Sequence, residues 1–474
     1  MLALVLILFE ILGVLSSIHA VLQPRTPQGA IAWVVCLIAI PILAVPAYWV
    51  FGRSRFKGYV TAWRDASLNI DQDVKSLRQK FEPYLVESAT VFPEYEAVKK
   101  LSSSQFTRGN EVELLVDGEA TFRSLHTGIE AAKSYILFQF YIIRTDDTGN
   151  QFKQQLVRKA AEGVEVYVLY DELGSSSLDI KRIVEWAETG IHIIPFNTRK
   201  GIQNRFQLNF RNHRKIVVVD GITAWVGGLN IGDEYLGKDE KLSPWRDTHL
   251  FINGPAALLS QAIFLSDWHW AGSELLRGLS WEPKPEAWPK GDGTEVLVIG
   301  SGPADEYETA SLFFTNAINL ARKRIWIATP YFIPDEATMV ALRLALLKGI
   351  EVRILTPDLN DNWFVRHASN VYLSDLSQMG AKIHFYEKGF MHQKVMLIDD
   401  QYSFIGTVNF DNRSFRLNFE VTATVSDSQF ATKIESMLQD DFSASTELTE
   451  YRLDDQSLWQ RLKARGSALL SPLL

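Results

Sequence analysis

The chain has 474 residues, 47% of them hydrophobic and 22% charged, with a single cysteine, Cys36. That length is enough for two or three domains, the composition is typical of a globular protein, and one cysteine excludes an intrachain disulfide bond. A formal net charge of −8 argues against a general nucleic-acid-binding protein, although it allows a locally basic cleft.

Two apolar segments open the chain, at about residues 2–22 and 29–51. A helix of about 20 residues crosses a hydrocarbon core of roughly 30 Å, so both segments are long enough to span a bilayer. The first could instead be a cleaved signal peptide, but no Lys or Arg precedes it and a second span follows closely. The sequence therefore predicts a two-helix transmembrane hairpin over residues 1–52, kinked at Pro41 and Pro46.

Basic residues favour one orientation of this hairpin. Its loop carries Arg25 alone, whereas four basic residues follow the second span: Arg53, Arg55, Lys57 and Arg64. Because basic residues mark the cytoplasmic flank of a span, the rest of the chain is predicted to lie in the cytoplasm. Residues 53–108 are predicted to form a juxtamembrane connector without chemistry.

Beyond residue 108 the order strand, helix, strand, helix, strand occurs twice. The predicted strands lie at residues 135–143, 163–171 and 190–196, and again at 325–332, 349–355 and 380–386. This order predicts two α/β halves with largely parallel sheets, at residues 109–285 and 286–474. The run Ile216–Val219 lacks alternation and fits a strand buried on both faces.

Each half carries the same polar signature at the same spacing. The first copy is His213, Lys215, Asp220, Gly227, Gly228 and Asn230, and the second is His392, Lys394, Asp399, Gly406, Thr407 and Asn409. One His-x-Lys pair is weak evidence, but two matching copies are specific. We expect two half-sites that face each other, because metal-free phosphodiester chemistry needs one histidine to attack phosphorus and another to protonate the leaving oxygen.

The spacing within each signature predicts a division of tasks. Side chains two residues apart share a face of a strand, so His213 and Lys215 should meet the same bound phosphate, as should His392 and Lys394. The remaining members of the predicted catalytic set are Asp220 and Asp399. Their odd offset from the histidines predicts that they brace the following turn rather than touch substrate.

Four further side chains are predicted to complete the site. Small residues before Asn230 and Asn409 allow close backbone approach, so these amides can donate to a phosphoryl oxygen. Asp247 and Glu420 follow the motifs at matching places in the repeat and are candidates to orient the imidazoles, the alternative being ordinary strand-end carboxylates. No Cys/His or carboxylate cluster has metal spacing, so neither a metal nor a cofactor is predicted.

The paired motifs resemble those of the phospholipase D superfamily, from about residue 110 onward. The whole chain more narrowly resembles the bacterial cardiolipin synthases. This second resemblance rests on Arg25-x-Pro27, Ala32-Trp33, Tyr48-x2-Phe51-Gly52-Arg53, Trp245-Arg246-Asp247, Thr329-Pro330-Tyr331-Phe332, Asn409-x-Asp411-x-Arg413-Ser414 and Leu470-Ser471-Pro472-Leu473-Leu474. One departure is the loop from Asn230 to Trp245, which is longer than its counterpart from Asn409 to Glu420.

The resemblance implies two tandem α/β sandwich halves related by a pseudo-two-fold axis, with both histidines at their interface. It also implies transfer of a phosphatidyl group between two phosphatidylglycerol molecules in the bacterial inner membrane, giving cardiolipin and glycerol through a phosphatidyl-histidine. By analogy His213 is the nucleophile and His392 the acid/base, although the twin motifs make these roles exchangeable. The implied partners are lipids and not nucleic acid.

Two features keep two interpretations each. Arg205, Arg211 and Arg214 could hold an anionic headgroup or form a solvated basic face. Lys463 and Arg465, with the leucines that follow them, could dip into the headgroup region or belong to a frayed tail.

Three other functions are alternatives to the transferase. A phospholipase D that hydrolyses phospholipid differs only in letting water reach the intermediate, and the membrane hairpin favours a lipid acceptor. A nucleic-acid phosphodiesterase is disfavoured by the acidic charge balance and the two spans. A membrane-anchored scaffold with a decayed site is disfavoured because every signature position is intact.

Overall fold

A computed structural model describes most of the chain. The described residues are 2–24, 26–52, 56, 59, 81–86, 95–102, 104–196, 209–272, 276–284, 286–288, 293–359, 362–448 and 451–473. Most of the predicted connector lies outside them, as do the basic residues Arg25, Arg53, Arg55, Lys57, Arg64 and Arg205.

Three apolar helices open the chain: α1 (Leu2–Leu22), α2 (Pro27–Ala39) and α3 (Pro41–Phe51). In the described part of the chain, α1 is the one helix whose length and composition suit a membrane span. The second predicted span is divided at Ile40, which has the non-helical angles φ −140° and ψ 58°. Pro41 causes this break, because proline lacks an N–H and disfavours helical geometry in the residue before it.

Helix α1 packs against α3 through polar as well as apolar groups. Trp49 Nε1 donates to Ser16 Oγ at 3.1 Å, and His19 Nδ1 lies 2.6 Å from the Tyr48 hydroxyl. Most of the large apolar side chains of α1 are exposed. Ser16 and His19 of α1 are therefore partnered by side chains of α3, while the apolar surface of α1 faces outward.

After α4 (Tyr95–Ser102), the first half alternates strands and helices. Its strands are β1 (Thr107–Val116), β2 (Tyr135–Phe140), β3 (Glu165–Tyr170), β4 (His192–Pro195), β5 (Arg211–Asn212), β6 (Ile216–Val219), β7 (Thr223–Gly227), β8 (Trp245–Arg246) and β9 (Thr248–Asn253). Its helices are α5 (Asp117–Ala131), α6 (Asp147–Ala161), α7 (Ile180–Ala187) and α8 (Ala256–Gly272).

The second half repeats this succession. Its strands are β10 (Thr294–Ser301), β11 (Arg324–Ala328), β12 (Phe332–Ile333), β13 (Glu351–Pro357), β14 (Lys382–Tyr386), β15 (Phe390–Met391), β16 (Val395–Ile398), β17 (Tyr402–Gly406), β18 (Phe410–Asp411), β19 (Asn418–Ser426) and β20 (Ser445–Leu448). Its helices are α9 (Thr309–Leu320), α10 (Glu336–Leu347), α11 (Trp363–Gln378), α12 (Asn412–Arg416), α13 (Ser428–Ser443) and α14 (Leu458–Ala468).

The two sheets have matching strand orders, β1-β9-β7-β6-β2-β3-β4 and β10-β19-β17-β16-β11-β13-β14, and join through the antiparallel pair β1 and β10. The prediction of largely parallel sheets is wrong. In the first half β2, β3 and β4 run parallel, but β6, β7, β9 and β1 pair antiparallel. The cause is a tight hairpin between β6 and β7 at Asp220 and Gly221, both left-handed with φ 55° and 67°.

Hydrophobic packing covers both faces of each sheet. In β2, Ile136 and Phe138 join the outer core of the first half, whereas Leu137 joins a central core. That central core also contains Phe264 of α8 and Leu397 of β16, so the two halves share it. The run Ile216–Val219 is buried throughout, which confirms the prediction for it.

Candidate active site

Two short parallel strand pairs cross between the halves and bring the signatures together. Strand β5 pairs with the start of β19, which places Asn212 opposite Phe419. Strand β15 pairs with β8, which places Met391 opposite Arg246. The residue after β5 is His213, and the residue after β15 is His392.

Backbone hydrogen bonds extend both pairings into the site. The amide of His213 donates to the Phe419 carbonyl at 2.9 Å, and that of His392 donates to the Arg246 carbonyl at 2.7 Å. Each histidine is thus held in register with a strand from the opposite half. Glu420 directly follows Phe419, the backbone partner of His213. Asp247 directly follows Arg246, the backbone partner of His392.

Each histidine takes its carboxylate partner across this boundary. His213 Nδ1 lies 3.0 Å from Glu420 Oε2 and 3.1 Å from Oε1, and His392 Nδ1 lies 2.8 Å from Asp247 Oδ2. Both carboxylates are fully buried. Carboxylates in these positions can accept from Nδ1–H and leave the Nε2 lone pair available, so the geometry suits the orienting role, which stays a prediction, as does substrate binding by these two side chains.

The lysines lie beside the histidines, where the sequence placed them. Lys215 Nζ donates to the His213 carbonyl at 2.8 Å, and Lys394 Nζ donates to the His392 carbonyl at 2.5 Å. Lys394 Nζ also lies 2.8 Å from His392 Nδ1. Two imidazoles, two ammonium groups and two carboxylates therefore form one buried cluster.

Burial controls the protonation of this cluster. It lowers the pKa of His213, an effect that the negative charge of Glu420 only partly opposes, and it holds the pKa of His392 well below its ordinary value. Burial also lowers the pKa of Lys215 to about 7. Both imidazoles are consequently neutral near pH 7 before an anion binds.

The two signature asparagines have different surroundings. Asn230 Oδ1 accepts from the Ile142 amide at 3.0 Å, and its Nδ2 donates to the Tyr235 hydroxyl at 3.0 Å. Asn409 Oδ1 is buried without a hydrogen-bond partner among the described residues. Donation from these amides to a phosphoryl oxygen stays a prediction.

The glycines of the first signature make room for two neighbouring side chains, Asp247 and His249. A Cβ atom at Gly228 would overlap with the Asp247 carboxylate, and one at Gly227 would overlap with His249. In the second signature the position of Gly228 is taken by Thr407, whose hydroxyl accepts from the Val421 amide at 2.9 Å.

The signature aspartates lie at the far end of their strands, away from the histidines. Asp220 accepts from the amides of Lys133, Ser134 and Tyr135 at 2.8 Å each. Asp399 binds the amides of residues 322–324 in the same way. Both aspartates therefore brace the backbone before the neighbouring strands β2 and β11, as their odd offset predicts, and their inclusion in the catalytic set stays a prediction.

One arginine does not have the role considered for it. Arg214 is buried, with Nη1 2.6 Å from Asp267 Oδ1 and Nε donating to the Glu420 carbonyl at 2.9 Å. Because its guanidinium is paired with Asp267, it is not free to hold a headgroup. Its bond to the Glu420 carbonyl stabilises the β19 backbone beside Glu420.

The residues Tyr141, Tyr331 and His249 also border the site, although sequence reasoning gave them no role. The Tyr141 ring lies edge-on to His213 with centroids 5.0 Å apart, and the Tyr331 ring has the same relation to His392 at 6.5 Å. His249 is fully buried, and burial lowers its pKa to about 3. Tyr141 directly follows β2, and Tyr331 lies three residues after the end of β11; each of these strands pairs with the strand that follows a signature histidine. This position at the end of a buried strand is the sequence signal for both tyrosines.

Within the described residues, no group of three or more His, Cys, Asp or Glu side chains is arranged to hold a metal ion. The positive charges of the site come from Lys215 and Lys394. Independence from metal stays a prediction for experiment.

Comparisons with known proteins agree with the geometry. A family model described as cardiolipin synthase, PLD-like domain, matches residues 125–250 and 314–442. A cardiolipin synthase A from Pseudomonas fluorescens (strain SBW25) is 45% identical, over 98% of this chain and 96% of its own length. A protein of the same name from Pseudomonas putida (strain GB-1) is 45% identical over 98% of this chain and 97% of its own.

One solved structure supports the fold alone. The crystal structure of phosphatidylserine synthase from Haemophilus influenzae Rd KW20 matches with a TM-score of 0.61 at 16% identity, over 80% of this chain and 99% of that one. Two copies of a phospholipase D-like domain and full-length relatives define the class. The chain belongs to the cardiolipin synthase family, and the resemblance read from the sequence is confirmed.

Proposed function

We propose that this chain transfers the phosphatidyl group of one phosphatidylglycerol to the headgroup hydroxyl of another, releasing glycerol and forming cardiolipin. The observation that carries the proposal is the pair of histidine–carboxylate contacts across the halves, each beside a lysine, in a member of this family. That arrangement supplies a nucleophile, an acid and two positive charges without a further group.

In the first half-reaction His213 Nε2 attacks phosphorus. The bond from phosphorus to the glycerol oxygen breaks, and His392 gives its Nε2 proton to that oxygen. His392 needs this proton although burial lowers its pKa; the bound phosphodiester anion offsets the charges of Lys215 and Lys394 and raises that pKa. The product is a phosphatidyl-histidine at His213.

In the second half-reaction His392, now neutral, takes the proton of the incoming headgroup hydroxyl. The hydroxyl oxygen attacks phosphorus, and the bond to His213 Nε2 breaks. Lys215 and Lys394 neutralise the charge that builds up on the five-coordinate phosphorus, with Asn230 and Asn409 as further donors. The roles of the two histidines are assigned by analogy with the family and are exchangeable in principle.

The exchange of strands between the halves supports a pseudo-two-fold axis through the site. Such an axis would superimpose the pair of β5 and β19 on the pair of β15 and β8. It would also superimpose the contacts of His213 on those of His392. The division at residues 109–285 and 286–474 follows as a proposal, with residues 53–108 as connector.

We further propose that residues 1–52 remain as a transmembrane hairpin in the bacterial inner membrane, with the catalytic halves on the cytoplasmic side. The contacts of Ser16 with Trp49 and of His19 with Tyr48 support a retained pair over a removable leader, because α3 satisfies polar groups of α1. The exposed apolar surface of α1 suits lipid contact.

The proposal is tested by giving the purified full-length protein headgroup-labelled phosphatidylglycerol in mixed micelles with a chelator present. One glycerol released per cardiolipin formed is the expected result, and it would also establish metal independence. Phosphatidic acid without cardiolipin would identify water as acceptor and the protein as a hydrolase. No turnover of phosphatidylglycerol under any metal condition would overturn the substrate assignment.

A further inference from the structure

A strip of large apolar side chains is exposed along the C-terminal helix. We define the apolar strip as six residues from the start of α11, from α14 and from the position just after α14. They are Trp363, Phe364, Leu458, Trp459, Leu462 and Leu469. Their exposed fractions lie between 48% and 82%. Single exposed apolar residues are ordinary on a protein surface, whereas neighbouring ones with tryptophans mark a contact surface. The ends of α11 and α14 meet where Val365, Ala368 and Ala468 pack together.

The charge of this helix suits an anionic surface. Residues 458–473 contain Arg461, Lys463 and Arg465 and no acidic residue. Lys463 Nζ lies 5.8 Å from the Trp459 ring centroid, so a cation stands over an exposed aromatic side chain. Arg461 and Arg465 both reach Asp454, at 3.2 Å and 3.0 Å. A helix with exposed tryptophan and leucine beside basic residues has the chemistry of an interfacial helix.

The start of α11, which carries Trp363 and Phe364 of the strip, lies close to the candidate active site. Tyr331 packs on the same small core as Val365 and Ala368, and its ring lies 6.5 Å from that of His392. The start of α11 is therefore separated from the candidate acid/base by one tyrosine side chain.

A chain of contacts connects the segment after the strip with Phe56, which follows the N-terminal helices. Arg413 Nη1 donates to the Leu473 carbonyl at 3.3 Å and to Asn209 Oδ1 at 3.0 Å. Next to Asn209, the Phe210 ring lies 5.5 Å from that of Phe56. Phe56 lies four residues after Gly52, which ends α3. The Cα atoms of Gly52 and Phe56 are therefore at most about 14 Å apart.

We propose that the apolar strip docks on the surface of an anionic phospholipid bilayer and holds the candidate active site against the leaflet that supplies its lipid substrates. This inference rests on the proposed function and adds a second attachment to the hairpin. The tail of the chain is then an interfacial element and not a frayed end. The helix bounds and the contact of Leu473 with Arg413 support that interpretation.

The depth of the strip in lipid tests the proposal directly. The full-length protein carrying Cys36→Ser is given a spin label through Trp459→Cys or Leu462→Cys and is reconstituted in vesicles of phosphatidylglycerol and phosphatidylethanolamine. Ile180→Cys is the matched control, because Ile180 is an apolar residue of α7 with 81% exposure. We expect the first two labels to collide with oxygen more than with a water-soluble nickel chelate, and the control label to show the reverse.

Water-like accessibility at 459 and 462 would overturn the proposal. Dipolar broadening between labels at 459 would also overturn it, because a second copy of the chain would then cover the strip. These readouts do not depend on turnover. Lipid-exposed labels in a protein that makes no cardiolipin would therefore reject the proposed function and leave the docking intact.

A kinetic experiment links docking to substrate supply. Trp459→Gln with Leu462→Gln should lower turnover of long-chain phosphatidylglycerol in vesicles about tenfold, since two apolar side chains lose their lipid contact. Turnover of a short-chain phosphatidylglycerol below its micelle concentration should stay unchanged. An equal loss on both substrates would mean that the substitutions disturb the site, and no loss on vesicles would contradict docking.

Discussion

His213 Nδ1 lies 3.0 Å from Glu420 Oε2, although 207 positions separate the two residues and they belong to different halves of the chain. His392 and Asp247 repeat the relation in the opposite sense at 2.8 Å. Each half thus supplies the histidine of one pair and the carboxylate of the other. A half on its own would contain a histidine without its orienting group, so the site exists only when the two halves are packed together.

Glu420→Gln is predicted to impair chemistry without unfolding the protein. The amide can still accept from the imidazole but brings no negative charge to stabilise the imidazolium, so kcat should fall roughly 10²- to 10⁴-fold. Glu420 raises the pKa of His213, so its neutralisation should lower that pKa further and move the acid limb of the pH–rate profile to lower pH. Initial rates of cardiolipin formation from pH 4.5 to 8 provide the measurement.

Glu420→Asp serves as the control, because it keeps the charge and should recover part of the rate and the position of the acid limb. A purely structural role would reduce activity in both variants alike and leave the limb unmoved. Unchanged kcat in Glu420→Gln would reject the orienting role altogether.

Much of the site could be predicted because the sequence states it twice. Two copies of His, Lys and Asn at equal offsets indicated facing half-sites, and the structure brings His213, Lys215, His392 and Lys394 into one cluster. The strand order of the halves was also readable, since buried runs such as Ile216–Val219 contrast with the helical segments between them. The repeat made a weak local signal specific.

Other features depend on contacts that local patterns do not contain. Nothing in the residues near Glu420 shows that it meets His213 and not His392, because the pairing follows from the crossing of β5 and β19. Parallel sheets were wrongly expected because the turn at Asp220 and Gly221 was not recognised as a tight hairpin that reverses the chain. Arg214 looked available for substrate, but its partner Asp267 comes from a distant helix.

The identity of the nucleophile can be decided with an activated substrate. A phosphatidyl ester of p-nitrophenol has a leaving group that needs no acid, so formation of the intermediate then requires the nucleophile alone. His392→Asn should release p-nitrophenol in a burst and keep the labelled lipid on the protein, whereas His213→Asn should do neither. Burst amplitude and label retained on the protein are measured together. The reverse outcome would exchange the two roles.

Asp220→Ala is predicted to cost stability and leave chemistry intact. The change removes an acceptor from three backbone amides and puts alanine at φ 55°, so the free energy of unfolding should fall by about 2–4 kcal/mol. Urea unfolding in detergent measures the loss, and kcat of the folded protein should stay within about twofold of the parent, as expected away from the reacting atoms.

Asp220→Asn is the matched control, since asparagine tolerates left-handed geometry and keeps one acceptor oxygen. It should lose less stability than Asp220→Ala. A folded Asp220→Ala of unchanged stability but without turnover would show that this aspartate belongs to the catalytic set.

The low pKa of Lys215 predicts that binding of a phosphodiester weakens as the pH rises. Burial lowers this pKa to about 7, so below pH 7 the ammonium is already charged before an anion binds. Above pH 7 the free protein must take up a proton on binding, and affinity should fall by up to about tenfold per pH unit. Glycerophosphoglycerol is a suitable ligand because its own charge is constant in this range.

Calorimetry from pH 6 to 9 in buffers of different ionisation enthalpy measures both the affinity and the proton uptake. Lys215→Arg is the control: a guanidinium stays charged throughout, so its affinity should vary less with pH than that of the parent. Because the pKa of His392 is lowered in the free site and the bound anion raises it, His392 also takes up a proton on binding, and only the difference in proton uptake between the parent and Lys215→Arg is assigned to Lys215. Constant affinity of the parent protein across this range would show that Lys215 keeps its proton in the free site, and the burial that lowers its pKa would then be offset by Glu420.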